Sequence, residues 1–231
     1  MNIALLGYGR MGKLIEQRAI SQAITVSLVL DATNNDQFQG VTPENLSGVD
    51  VAIDFSTPGA VVENIRRVAA AGVNMVVGTT GWYEHLDEVK QIVCTHGIGL
   101  VYGPNFSIGM NLFFKLIEQA GRLFHRFGGF DPFIEEAHHK FKKDAPSGTA
   151  VTLGRLLEAW YPGRSVPITS VRAGYIPGTH AVSFDSEVET IMLRHVARTR
   201  EGFADGALLA ARWIVGKKGF YEFSHIVEEL Q

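Results

Sequence analysis

Short apolar runs alternate with helical periodicity over the first hundred residues. Residues 3–6 form a continuous apolar run that stops at Gly7-Tyr8-Gly9-Arg10-Met11-Gly12, and Met11, Leu14, Ile15 and Ala19 then share one helical face. Residues 25–30 read as a second strand closed by Asp31, and residues 49–55 as a third. Between them, residues 32–47 are polar, rich in Asn and Gln, and read mostly as loop. Pro58 opens a helix that Gly72 stops. Residues 73–78 give a fourth strand, 82–95 a helix and 98–102 a fifth strand. Strands alternating with helices predict a doubly wound parallel sheet that ends near Asn105.

The pattern then changes. Residues 108–127 predict a long helix with Ile108, Leu112, Leu116, Ala120, Leu123 and Phe127 on one face. A strand at 133–138 leads into a polar run, 138–147, and a helix from about 148 to 160. Residues 165–172, 181–184 and 187–198 are rich in β-branched residues and predict antiparallel strands. A last helix, 204–215, precedes a tail. The fold class expected is α/β: a Rossmann-type doubly wound sheet in residues 1–106, then a smaller α+β domain in 107–202. The segment 203–231 is expected to pack back on the first. Trp160, Trp213 and the phenylalanines of 106–133 are expected in the core.

Composition narrows the function classes. The chain has 231 residues, 46% apolar and 19% charged, with a formal net charge of −3. A globular enzyme fits this, and nucleic-acid binding has no electrostatic support. No stretch approaches the roughly 20 apolar residues that span a bilayer, and the first residues lack a basic leader. With its single cysteine, Cys94, expected on the helix after the fourth strand as a buried or partly buried structural thiol, the chain is expected to be cytoplasmic.

The glycine turn carries the first chemistry. In the turn Gly7-Tyr8-Gly9-Arg10-Met11-Gly12, Gly7 permits a tight bend, Gly9 lets a pyrophosphate approach the backbone, and Gly12 allows close helix–strand packing. A nicotinamide dinucleotide is expected there. Asp31, about 20 residues on, can accept hydrogen bonds from the adenosine ribose. Ala32-Thr33-Asn34 follows with no cation for a 2′-phosphate, so NADH is expected over NADPH. The loops Gly78-Thr79-Thr80-Gly81 and Pro104-Asn105-Phe106-Ser107 follow strands and are expected to line the nicotinamide end.

The run His138-His139-Lys140-Phe141-Lys142-Lys143 precedes Pro146-Ser147-Gly148-Thr149 at a helix start. A solvated basic loop is the bland account. Cations ahead of helix amides, however, make a receptor for a carboxylate or phosphate, and a histidine beside a lysine supplies protons. A metal site is rejected, because the lysines would repel a cation and no further His or Cys falls at ligand spacing.

Together with GYGRMG, IDFSTP at 53–58, VGTTG at 77–81 and PNFSIG at 104–109, the run from Glu136 to Ala150 resembles the dihydrodipicolinate (4-hydroxy-tetrahydrodipicolinate) reductase family over essentially the whole chain. The resemblance implies that His138 is the proton donor or acceptor and Lys142 a proton donor. It implies that His139, Gly148 and Thr149 bind substrate, with Ser147 and Thr80 beside them. Nicotinamide contacts are implied at Gly78, Thr79, Thr80, Gly103, Pro104, Asn105 and Phe106. The implied fold adds a mixed-sheet domain that assembles homotetramers, and the implied reaction is reduction of a small cyclic dicarboxylate in lysine and diaminopimelate synthesis. The chain is short for that family around residues 32–47 and lacks the basic residue that often follows Asp31.

Two other readings compete. A semialdehyde dehydrogenase would need Cys94 as its nucleophile. A redox sensor would need a partner surface such as a basic helix, and the sequence has none. Arg172, Arg194 and His195 are expected on strands as surface, interface or ligand residues, and His180 carries no assignment.

Overall fold

The computed structural model describes residues 1–230. By contact the chain divides into two compact units, residues 1–108 with 201–231 and residues 109–200.

The first unit starts as the apolar runs predict. β1 (Asn2–Leu6), α1 (Arg10–Ser21), β2 (Thr25–Leu30), β3 (Val51–Asp54), α2 (Pro58–Ala70), β4 (Asn74–Val77), α3 (Leu86–His96) and β5 (Gly99–Tyr102) alternate. β3 is buried at every position and β1 at all but its first, as strands covered on both faces must be. Cys94 is exposed on α3, against expectation, because Val89, Ile92 and Val93 take the inward positions of that helix.

The second unit holds α4 (Ile108–Phe127, beginning at the boundary residue), β6 (Asp131–His138), α5 (Gly148–Glu158), β7 (Ile168–Arg172), β8 (Thr179–Asp185) and β9 (Thr190–Val196). Its sheet runs β7-β6-β8-β9. β7 pairs parallel with β6, correcting the expectation of antiparallel strands throughout; the other two pairings are antiparallel. α5 connects the parallel pair, as a crossover must.

The face of α4 that the apolar spacing groups is not the face it buries. Met110, Phe113, Ile117 and Gly121 are buried, whereas Leu112, Leu116, Leu123 and Phe127 are 48–77% exposed. This helix is apolar on two sides, so periodicity alone could not choose between them. Trp160 and Trp213 are half-buried.

The chain then returns to the first unit with α6 (Glu201–Ile214), β10 (Gly219–Glu222) and α7 (Phe223–Ile226). The expected tail thus contains a sixth strand, and the all-parallel sheet runs β10-β5-β4-β3-β1-β2. α6 packs with α1 in one apolar layer, held by Arg18 with both oxygens of Asp205 at 2.8 and 3.0 Å. α2 and α3 cover the other face.

Candidate active site

The strand order reverses at β1, between β2 and β3, and open parallel sheets bind ligands beyond the strand ends at such a point. A cavity of about 520 Å³ lies there, lined among others by Gly7, Gly9, Asp31, Asp36, Phe38 and Ser56. Gly7 has φ +92°, and a Cβ there would meet the Phe55 carbonyl oxygen at 2.4 Å. A Cβ on Gly12 would strike the Gly7 carbonyl at 2.2 Å, so Gly12 serves the turn itself. Gly9 faces open space. No side chain caps α1 and its first turn carries no acid, which leaves first-turn amides for an anion. These residues fit a dinucleotide pyrophosphate.

A second cavity of about 350 Å³ is lined by Gly9, Arg10, Met11, Gly78, Thr79 and Thr80, among others. The buried Asp54 at the end of β3 organises its wall. Its carboxylate accepts from Ser56 N (3.0 Å), Ser56 Oγ (2.8 Å), Asn64 Nδ2 (2.8 Å) and Thr79 Oγ1 (2.6 Å). Burial raises its pKa, although those four bonds oppose the shift.

The second unit carries a separate polar cluster. Alternation along β6 puts Glu136 and His138 on the face that packs against the helices. His138 Nδ1 is 2.5 Å from Glu136 Oε2, and the Arg172 guanidinium grips both Glu136 oxygens at 2.9 and 2.6 Å. Burial, helped by Lys142 and Arg172, pulls His138 below its ordinary pKa against the pull of Glu136. Lys142 Nζ donates to both oxygens of Asp144 at 2.7 and 2.8 Å. Ser147 caps α5: its hydroxyl accepts from Ala150 N and lies 3.1 Å from His180 Nε2. The cap occupies the third amide of the helix, leaving those of Gly148 and Thr149 to face an anion. Glu136, His138 and His180 place donor atoms within 4.8 Å of one another, but the guanidinium already occupies both carboxylate oxygens.

Comparison with known proteins identifies the family. Residues 1–106 match the family model for the N-terminus of dihydrodipicolinate reductase, and residues 109–227 the model for its C-terminus. The chain belongs to the dihydrodipicolinate reductase family. The 4-hydroxy-tetrahydrodipicolinate reductase of Christiangramia forsetii is 35% identical over all of this chain and 99% of its own length. That of Methanoculleus marisnigri is 36% identical over 91% of each chain. A dipicolinate-bound dihydrodipicolinate reductase from Paenisporosarcina superposes with a TM-score of 0.83, at 25% identity over 98% of this chain and 99% of its own. GenD2 of gentamicin biosynthesis, solved with NAD, shares the fold alone, at a TM-score of 0.62 and 13% identity.

Within the reductase frame, Gly7 to Gly12, Asp31 and Gly78 to Thr80 all lie on the turn or on loops beyond the strand ends of one sheet. Asp31 accepts from Thr33 N and Oγ1 at 2.8 and 2.5 Å. Gly103, Pro104, Asn105 and Phe106 line neither cavity, and the Phe106 ring packs against Phe55 and Phe223. His138, His139, Lys142, Ser147, Gly148 and Thr149 gather at the ends of β6 and α5. The Ser147 hydroxyl is turned inward as a cap, and His139 keeps a buried Nδ1 without a hydrogen-bond partner.

Sequence reasoning gave Glu136 and Asp54 no role of their own, left His180 unassigned and left Arg172 open between surface, interface and ligand. The i, i+2 spacing of Glu136 and His138 on a predicted strand was the signal available for the first of these.

Proposed function

We propose that this chain reduces 4-hydroxy-tetrahydrodipicolinate to tetrahydrodipicolinate in lysine and diaminopimelate biosynthesis. The carrying observation is the cluster on the second unit, where His138, Lys142 and the free amides of Gly148 and Thr149 combine proton transfer with carboxylate binding. A bound nicotinamide dinucleotide supplies the hydride. The protein's residues do the rest. The α5 amides and His139 hold the substrate carboxylates, and Lys142 exchanges Asp144 for substrate. His138 and Lys142 handle the proton that accompanies hydride, as the substrate hydroxyl leaves as water.

NADH is the expected preferred cofactor, supported by Asp31 and Asp36 on the wall of the larger cavity. Assembly as a homotetramer through the second unit is supported by the outer face of its sheet, where Val171, Met192 and Val196 are about half exposed. Cytosolic placement follows from the biosynthetic role. No helix among the described residues is long and apolar enough to cross a membrane.

The test is a coupled assay with freshly made synthase product, following NADH and NADPH oxidation separately. Lys142→Met should lower turnover about a hundredfold or more, as loss of a general acid does. Near-normal turnover removes Lys142 from the mechanism. Insensitivity to thiol alkylation is also expected; inactivation through Cys94 would favour the semialdehyde dehydrogenase reading.

A further inference from the structure

The geometry points to Glu136 as a positioning residue that ties the proton-handling imidazole of His138 to the anion-binding start of α5. The inference rests on the reading of His138 as the proton carrier. Its basis is how the two oxygens of one buried carboxylate are shared. Oε2 faces His138 Nδ1 at 2.5 Å and Arg172 Nη1 at 2.9 Å. Oε1 accepts from Ser147 N at 3.2 Å and from Arg172 Nη2 at 2.6 Å. Each oxygen therefore serves the guanidinium and one part of the site, so the carboxylate is a fixed bridge between catalysis and binding.

A purely structural account of Glu136 is weaker. Burying a carboxylate is costly, and an apolar side chain of similar volume often serves a core as well as an ion pair does. An apolar residue could not, however, orient the imidazole or take the Ser147 amide. Burial tends to raise the Glu136 carboxyl, but Arg172, Ser170 and His138 outweigh it and hold it at about 2. It is therefore ionised and can only accept, which places a proton on Nδ1 of neutral His138 and leaves Nε2 as the atom that exchanges protons. The chain keeps room at that atom: a Cβ on Gly178 would lie 3.2 Å from His138 Nε2. The groups facing His138 are Glu136 from β6, Arg172 from β7, His180 from β8 (ring centroids 5.1 Å apart) and Lys142 from the loop. Glu136 is the one anion in that set, and it offsets two cations that would otherwise lower the basicity of His138.

The tautomer can be read in the resting enzyme, without turnover. In the full-length protein with nitrogen-15-labelled histidine, the His138 resonances should report a protonated Nδ1 and a bare Nε2 above neutral pH. A protonated Nε2 would overturn the proposal, and this measurement needs no variant. In Glu136→Gln the limb of the kcat profile due to His138 should move to lower pH by about one unit or more, as loss of a neighbouring anion dictates. Its kcat should fall at least about tenfold, and KM for the dicarboxylate should rise through the Ser147 arm. Arg172→Met removes a cation and should move the same limb upward, whereas a merely structural pair would give two variants with the same unmoved limb. An unmoved limb in a folded Glu136→Gln protein sinks the inference. Failure of the underlying reading looks different: His138→Gln would then turn over at the wild-type rate while the wild-type tautomer stayed as described.

Discussion

Single residues at the strand ends hold the loops that line the two cavities. Asp54 accepts four hydrogen bonds, three on Oδ1 and one on Oδ2, and Ser56, Asn64 and Thr79 reach it from α2 and from the loops after β3 and β4. Asp54→Ala would strand several buried donors at once, and each costs about 1–3 kcal/mol. The expected result is a loss of about 3 kcal/mol or more in urea denaturation and a raised KM for the dinucleotide; unchanged stability would show that the loops find other partners. Asp31 poses a separate question of sign. Its carboxyl is held below the usual range, foremost by the Thr33 hydroxyl, so it presents a full charge to the larger cavity. A 2′-phosphate would be repelled there. KM is expected to be lower for NADH than for NADPH, and Ala32→Arg should narrow the difference; a wild-type preference for NADPH refutes this.

At the scale of elements, β6 and β8 carry a buried polar layer that makes the second unit sensitive to acid. Burial and the neighbouring His138 push His180 from an ordinary 6.5 down to about 4. The unfolded chain thus takes up a proton that the folded chain refuses. Stability is fully present above about pH 6.5 and is lost as pH falls toward 4, by about 3 kcal/mol over that window. Glu136, held at about 2 against an ordinary 4.5, adds a further loss as pH falls from about 4.5 toward 2, where the unfolded carboxyl takes up a proton that the folded one refuses. Denaturation midpoints measured from about pH 7 to 4.5 should fall in the wild type and flatten in His180→Gln; a flat wild-type profile removes His180 as the cause.

This layer also marks where the sequence was hard to read. β1 to β5 were legible because continuous apolar runs between glycines have few alternatives, and the glycine turn and the 138–149 run marked the two candidate regions for the chemistry. β10 was missed because Gly219-Phe220-Tyr221-Glu222 is only four residues long and half-buried. The direction of β7 depends on pairing with β6, a non-local fact that local pattern does not contain. Glu136 and Arg172 gain their meaning from a contact 36 residues apart in sequence.

At the scale of the whole molecule, the assembly proposed for the outer sheet face is open to direct test. Light scattering of the purified protein should give four chains, and Met192→Asp with Val196→Asp should shift it to smaller species; a wild-type monomer would refute assembly through this face. The division of the chain has a different consequence, one of timing. The second unit is inserted between β5 and α6, so a chain leaving the ribosome has completed β1 to β5 some hundred residues before it acquires β10. During that interval the β5 edge offers unpaired backbone, and the face later covered by α6 is bare. Both are sites where nascent chains adhere to one another. A fragment ending at Arg200 should therefore collect in the insoluble fraction when expressed alone, and co-expressed residues 201–231 should return part of it to solution. The last thirty residues act as the closing piece of a sheet begun at the first.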